Sequence, residues 1–410
     1  MRIVLACSSF FGSGGGIASY NRELYKCLGS KGFDVLVVTT DLPARHDNTV
    51  IQGRDIDYYH TAIPERVADE PEAAQKMFDR VVQYDPDVLI SSDHIYLTSL
   101  FPCFADRRVR LSISHSYNET LPKVAACRRA YTDWIVVLSE AGKNYMTDHL
   151  GCIPEQVVVI YNAVEDIQDD TRKKIKAKAD KDEIQIVYPG GSSSNKSPGV
   201  VLDVTRLLAD AEFPWRMFWL GDARSYKNRI PQKIRTKIIF TGRIIRQAAE
   251  KYIDESDCFI LPSKREGCPM SLMEAMRSGV IPIVSDCPSA MRELVKNGVS
   301  GYVVPRKDAA QIASCLKNIA SDRSLKASLM HSARDVYEKE LRVDVWINKI
   351  LSLTRRRPGR CETDNEDKFN PASLCRWHRR AGRWFFPTIT YLRLKFGYPN
   401  FSQIAKSSKL

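Results

Sequence analysis

No stretch of this 410-residue chain approaches the roughly 18 consecutive apolar residues of a membrane-spanning helix, so no span is expected. Its eleven cysteines include no Cys-x-x-Cys pair, and many, such as Cys7, Cys27, Cys103 and Cys258, fall within apolar runs. That argues against zinc and disulfides and for buried, reduced thiols. The histidines, among them His46, His60, His149 and His378, lack metal-ligand spacing, and no metal is expected. No activated nucleophile with its base is visible, which argues against covalent catalysis. The N-terminal Arg2-Ile-Val-Leu-Ala-Cys7 has the flavour of a lipoprotein cleavage box. Its apolar stretch is too short for a signal peptide and reads as a first strand, so a cytoplasmic location is expected.

What is present is a globular composition, 44% hydrophobic and 27% charged, over a length that suggests two domains. Arg2–Cys7 reads as a strand, and Ile17–Leu28 as a helix with apolar residues at Ile17, Tyr20, Leu24 and Leu28. Further strands are expected at 34–40, 88–90, 111–114, 134–138 and 157–161, then at 184–188, 215–220, 238–240, 258–261 and 281–284. Between the two sets, residues 165–183 carry Lys173, Lys174, Lys176, Lys178 and Lys181 among acidic neighbours and read as a solvated linker without core residues. The expected fold class is α/β, with two doubly wound Rossmann-like domains facing a central cleft lined by the carboxyl ends of both sheets. The boundaries are 1–165, a linker at 166–183, 184–340, and a final helix with its tail at 341–410.

Glu266-Gly-Cys-Pro-Met-Ser-Leu-Met-Glu274 is the most informative segment. It joins the strand Cys258–Leu261 to a helix that begins near Pro269, a residue suited to the first helical position, and ends at Gly279. Free amides at the helix start, around Gly267, Cys268, Pro269, Met270 and Ser271, suit a phosphate or a polarised hydroxyl. With Glu266 before that start and Glu274 in the second turn, hydroxyls can be held by carboxylates while an anionic centre is held by amides. A nucleotide-sugar fits that description.

The stretch LPSKREGCPMSLMEAMRSGVIPIVSDCPSAMRELVKNGVSGYVVP, Leu261 to Pro305, resembles the donor-site signature of family 4 glycosyltransferases, retaining enzymes of the GT-B fold. The resemblance implies that Glu266 contacts the transferred sugar, that Glu274 binds the ribose hydroxyls, and that no metal or other cofactor is needed. The expected co-substrate is a nucleotide-sugar, with a UDP-sugar the first choice. The glycines of Gly12-Ser-Gly14-Gly15-Gly16 permit backbone approach to a ligand at a helix start. They do not continue into a dinucleotide fingerprint or a P-loop, but Gly14, Gly15 and Gly16 match the family's glycine pair opposite the donor diphosphate. His115, after a strand, matches a family histidine near the transferred sugar, although a single histidine is more often structural. Asp85-Pro-Asp87 precedes a strand and reads as a turn rather than a metal-binding Asp-x-Asp.

In the second half, Gly190-Gly191-Ser-Ser-Ser-Asn195-Lys196 follows a strand. The family has Gly-Arg at the first two positions and Lys six after the Gly, both cations neutralising the diphosphate. Lys196 matches, but Gly191 stands where the Arg would be. Since the leaving diphosphate develops charge, a preorganised cation there is worth several kcal/mol, and the expected substitute is chiefly Arg265, with Lys264 or Arg243 behind it. The turn Gly242-Arg243-Ile244 is expected, by resemblance, to meet the donor base through backbone groups. The resemblance implies transfer of a sugar to a glycan or lipid-linked acceptor, and the expected product is a surface polysaccharide. The alternative is a catalytically weak nucleotide-sugar-binding or glycan-assembly scaffold, suggested by Gly191.

The net charge of +12 is concentrated at one end, since residues 351–410 hold thirteen Lys and Arg against four Asp and Glu. Arg376-Trp377-His-Arg379-Arg380-Ala-Gly-Arg383-Trp384-Phe385-Phe386 interleaves cations with interface-seeking aromatics. This composition predicts peripheral binding to an anionic inner membrane face, at about 1 kcal/mol per basic residue near the surface. The competing expectation is that part of this region packs back on the first domain. Nucleic acid is not an expected partner, because no recognised motif accompanies the charge.

Overall fold

Short apolar runs form two parallel sheets in the computed structural model, which describes residues 1–8, 10, 16–39, 56–58, 70–104, 108–116, 121–167 and 171–355. The first sheet contains β1 (Arg2–Cys7), β2 (Asp34–Thr39), β3 (Ile56–Tyr58), β4 (Val88–Ser92), β5 (Val109–Ser114), β6 (Trp134–Val137) and β7 (Val157–Val159), in the order β3-β2-β1-β4-β5-β6-β7. The second contains β8 (Ile184–Tyr188), β9 (Trp215–Leu220), β10 (Ile238–Gly242), β11 (Cys258–Leu261), β12 (Ile281–Ser285) and β13 (Tyr302–Val304), in the order β10-β9-β8-β11-β12-β13. Every residue of β4, β5, β11 and β12 is buried. Helices cover both faces of a parallel sheet, so its strands are buried along their whole length rather than on alternate residues. A charged residue among them, Arg110, is paired inside with Asp133. The three-residue strands β3 and β13 are too short to stand out in the sequence pattern.

Strand order reverses between β1 and β4 in the first sheet and between β8 and β11 in the second. A doubly wound sheet opens a crevice at the carboxyl ends of such a strand pair. The segments after β8 and β11 are those that carry Lys196 and Glu266, and β5 leads directly to His115. Among the described residues, no helix is long and apolar enough to cross a membrane, and no described cysteine forms a disulfide.

The segment 165–183 departs from the solvated linker expected of it. It contains the helix Thr171–Ala179, with Ile175 fully buried and Lys178 nearly so. Lys178 Nζ donates to the backbone carbonyls of Asp254 and Ser256, and Ile175 packs so closely on Gly279 that a Cβ there would lie 2.5 Å from Ile175 Cδ1. Ile175 and Ala179, one turn apart, make a narrow apolar stripe among the lysines, and lysine stems can lie along apolar surface.

Helix Val343–Thr354 returns to the first domain, where Trp346 meets Tyr20 of helix Gly16–Ser30 edge to face at a centroid distance of 5.0 Å. The rest of the basic aromatic tail, from residue 356, lies outside the described residues, as do Gly14 and Gly15.

Candidate active site

Lys196 and Glu266 are 70 residues apart in the chain, yet Lys196 Nζ lies 2.5 Å from Glu266 Oε1. The turn after β8 places Lys196, whose carbonyl accepts the Tyr188 hydroxyl at 3.0 Å. A two-way strap holds the turn to the segment after β11. Lys264 N donates to Asn195 O at 2.7 Å, and Asn195 Nδ2 donates to Arg265 O at 2.7 Å. Arg265 and Lys264 are exposed beside the pair, and Arg265 has no acidic partner among the described residues.

Gly191 adopts φ +51°, a left-handed conformation, and a Cβ there would meet the backbone N and O of Asp222 at 3.1 Å. Gly221 faces it with φ +92°, and its N donates to Gly242 O at 3.0 Å. Three strand ends of the second sheet thus meet at glycines whose positive φ disfavours a side chain, and at Gly191 and Gly221 a Cβ would also be crowded by facing backbone. Gly190 is equally constrained, since a Cβ would lie 2.1 Å from the Tyr188 ring. A cavity of about 490 Å³ adjoins this stack, lined by Asp222, Arg224, Lys227, Phe240 and Arg243 among others. Arg243 is exposed and Ile244 half-buried at its edge.

Helix Met270–Arg277 starts one residue later than expected, with Pro269 as its N-cap. Its first turn opens toward the first domain, where a Cβ on Gly16 would come 3.9 Å from Met270 Cγ. Two helix starts, one per domain, therefore approach each other. Gly267 is pressed against the first domain as well, because a Cβ there would lie 2.6 Å from the His115 carbonyl oxygen. Cys268, expected to line the donor site, instead turns into the contact between domains. Its Sγ accepts from Asn162 N at 3.2 Å and its carbonyl accepts from Asn162 Nδ2 at 2.5 Å. Burial pushes the thiol pKa up to about 12, so it stays protonated and inert. Glu293 completes the contact by accepting from the amides of Glu140 and Ala141, at 3.0 and 3.3 Å, at the start of helix Glu140–Leu150. Ser271 is half-buried in the first turn of helix Met270–Arg277.

Glu274, in the second turn, is only 6% exposed. Its Oε1 lies 3.0 Å from Arg246 Nη2. Burial raises its pKa above the usual carboxylate value, and Arg246 opposes that rise. On the facing domain, His115 is buried. Its Nε2 shares a hydrogen bond with Ser92 Oγ at 2.8 Å, and its backbone N donates to Asp93 Oδ2 at 3.1 Å. The Tyr20 ring stands edge-on at 4.5 Å. Burial drives the imidazole pKa down to about 3, so His115 is neutral at physiological pH and serves as a hydrogen-bonding group rather than a cation. Among the described residues, no group of three His, Cys, Asp or Glu is gathered as a metal site.

Residues 14–167 match the family model described as Glycosyltransferase Family 4, and residues 183–322 match the one described as Glycosyl transferases group 1. The chain belongs to glycosyltransferase family 4. It is 26% identical over 183 residues to the amylovoran biosynthesis glycosyltransferase AmsK of Erwinia amylovora, covering 42% of this chain and 45% of AmsK. It is 28% identical over 215 residues to the putative colanic acid biosynthesis glycosyltransferase WcaL of Salmonella typhimurium, covering 50% and 52%. The chain therefore spans about half the length of these curated relatives. Among solved structures, Anabaena Alr3699/HepE in complex with UDP superposes with a TM-score of 0.67 at 16% identity, over 86% of this chain and 99% of that one. The fold of this family 4 chain is GT-B.

Three features around this glycosyltransferase-family site carry little signal in the sequence. Arg246 on Glu274 and Asn162 on Cys268 join residues far apart in the chain. The third is the pair Asp93 and His94 after β4. Asp93 is buried, with Oδ1 lacking a hydrogen-bond partner and its pKa raised by burial. His94 caps helix Ile95–Leu100 through Nδ1, which accepts from Leu97 N at 3.3 Å. A histidine cap after Ser-Asp is legible only in hindsight.

Burial lowers the His94 pKa from 6.5 to about 4, which has a consequence for stability. Between those values the unfolded chain binds a proton that the folded chain does not, so stability is lost as pH falls below about 6.5. Asp93 acts in the opposite sense, because its raised pKa costs stability as pH rises. A comparison with His94→Asn isolates the histidine, since Asn also caps helices well and does not titrate. Acidification from pH 7 to 5 is expected to destabilise the native protein by about 1–2 kcal/mol more than the variant. The measurement is the apparent Tm against pH for both proteins. Parallel curves would mean that His94 is not held neutral.

Proposed function

We propose that the protein is a retaining, metal-independent glycosyltransferase that moves a sugar from a nucleoside diphosphate donor to a glycan or lipid-linked acceptor of a surface polysaccharide. The observation that carries this reading is the Lys196–Glu266 pair at the switch point of the second sheet, beside the start of helix Met270–Arg277 and facing His115 across the domain contact. A cation for the diphosphate, a carboxylate for sugar hydroxyls and unpaired helix amides stand together, as charge-stabilised group transfer requires. The relatives named in amylovoran and colanic acid biosynthesis support the polysaccharide class, and the UDP bound to HepE supports a uridine nucleotide. Backbone groups at Gly242, Arg243 and Ile244 are assigned to the base, and Gly16 with its glycine neighbours to the diphosphate. In this reading the diphosphate leaving oxygen draws the proton from the acceptor hydroxyl on the same face of the sugar. His115 remains a hydrogen-bonding contact. The basic aromatic tail is assigned to an anionic membrane surface, and the enzyme with it to the inner face of the membrane, a reading supported by the tail's composition alone.

A thermal-shift panel of nucleoside diphosphates and their sugars tests this directly. The correct donor at about 100 times its Kd is expected to stabilise the protein by about 2.7 kcal/mol, with UDP-sugars giving the largest shift. Donor hydrolysis or transfer then separates an enzyme from a scaffold, which would bind without turnover. No shift with any nucleotide would overturn both.

A further inference from the structure

Glu274 is a poor diol acceptor if burial leaves it protonated, because a carboxylic acid gives up part of its accepting capacity. The group that works against protonation is Arg246, the first residue of helix Arg246–Glu255. Its Nη2 lies 3.0 Å from Glu274 Oε1, while its Nε lies 2.7 Å from Glu250 Oε1 one turn on. The guanidinium is therefore clamped between two carboxylates, and with its side chain 44% exposed it reaches Glu274 from the solvent side. No described residue bonds to Glu274 Oε2.

We propose that Arg246 is a positioning residue for the nucleotide ribose, anchoring one oxygen of Glu274 and leaving the other to accept from a ribose hydroxyl. This rests on the donor-site reading of Glu274 given above. The planar fork of Arg fixes the carboxylate in one orientation before the nucleotide arrives, so little ordering cost falls on binding. It also keeps the acceptor charged, which roughly doubles the strength of a hydrogen bond to it.

The charges around Glu274 make Arg246 decisive. Glu250 and Asp254 come from the same helix as Arg246, and Arg277 from the helix of Glu274 itself. Helix Gly16–Ser30 brings Glu23, whose own titration responds to Arg246. Helix Arg323–Val336 brings Arg334, whose guanidinium donates to the Arg277 carbonyl and pairs with Asp166 and Glu338. Arg277 is already engaged by Asp254 at 3.0 Å and lies 3.6 Å from Glu250. Without Arg246, burial and Glu250 would both favour the protonated acid, opposed only by this shared Arg277.

The test measures the affinity of UDP, GDP and ADP, each against its 2′-deoxy and 3′-deoxy forms, at pH 6, 7 and 8 on the full chain. The native protein is expected to prefer the ribonucleotide over the deoxy form lacking the Glu274 partner by about tenfold, and to do so evenly across this range. In Arg246→Gln the preference is expected to fall to about twofold at pH 6 and to recover toward pH 8 as Glu274 ionises. Arg246→Lys keeps the charge and is expected to remove the pH dependence while restoring only part of the preference. Because each preference is a ratio within one protein, a partly inactive preparation does not alter it. An unchanged, pH-independent preference in Arg246→Gln would overturn the proposal while leaving the donor site standing. If the native protein binds no nucleoside diphosphate, the donor reading itself fails.

Discussion

Glu266→Gln is expected to lower turnover by about 10²-fold or more while donor affinity changes only a few-fold. Glutamine has the size of glutamate, and its amide oxygen can still accept from Lys196 Nζ, now 2.5 Å from the carboxylate. The strap through Asn195, Lys264 and Arg265 does not involve the Glu266 side chain at all. The variant therefore preserves the loop and removes one negative charge. If that charge stabilises the positive character that develops at the sugar as the diphosphate departs, its loss appears in kcat rather than in binding. Steady-state kcat and KM on the donor identified by the thermal panel make the distinction. A kcat within about threefold of the native value would leave Glu266 as a scaffold for Lys196.

The second large effect concerns the missing arginine. Lys196→Ala should cost at least as much as Glu266→Gln, because it removes the cation assigned to the diphosphate and leaves a half-buried carboxylate unpaired. Arg265→Ala is expected to cost about tenfold in kcat, being the exposed cation tied through its own backbone to the Lys196 turn. Restoring the family residue by Gly191→Arg should not help. With φ at +51° and the Asp222 backbone 3.1 Å from a Cβ, any side chain at this position is strained and crowded, and the stacked glycines must shift to admit it. The expected result is a less stable protein with no gain in turnover, read from the apparent Tm and kcat of the purified variant. Unchanged kcat in Arg265→Ala would remove that residue as the substitute cation, and a faster Gly191→Arg would show that the glycine stack can yield.

Gly191 thus has a different meaning in three dimensions than in one. In the sequence it is an arginine lost from a binding motif. In the structure it is one member of a glycine contact between the ends of β8, β9 and β10, with its amide bonded to Leu220 O at 2.8 Å and its carbonyl accepting from Trp219 Nε1 at 3.1 Å. Cys268 changes meaning likewise. Its place between Gly267 and Pro269 suggests a ligand contact, but Asn162, 106 residues earlier, claims it for the domain contact.

Local sequence determined the alternation of strand and helix, the ends of most elements, the two-sheet architecture and the place of Glu266, Glu274, His115 and Lys196 after particular strands. Those features depend on residue spacing, on glycine and proline at element ends, and on the rule that loops at the carboxyl edge of a parallel sheet open a crevice. Only the tertiary structure decided which of these side chains touch. The Lys196–Glu266 pair, the Arg246 anchor on Glu274, the buried Ile175 of the apparent linker and the neutral state of His115 all arise from segments far apart in the chain. Their distances and burial follow from how two sheets and their helices pack, and periodicity along a chain contains no measure of that.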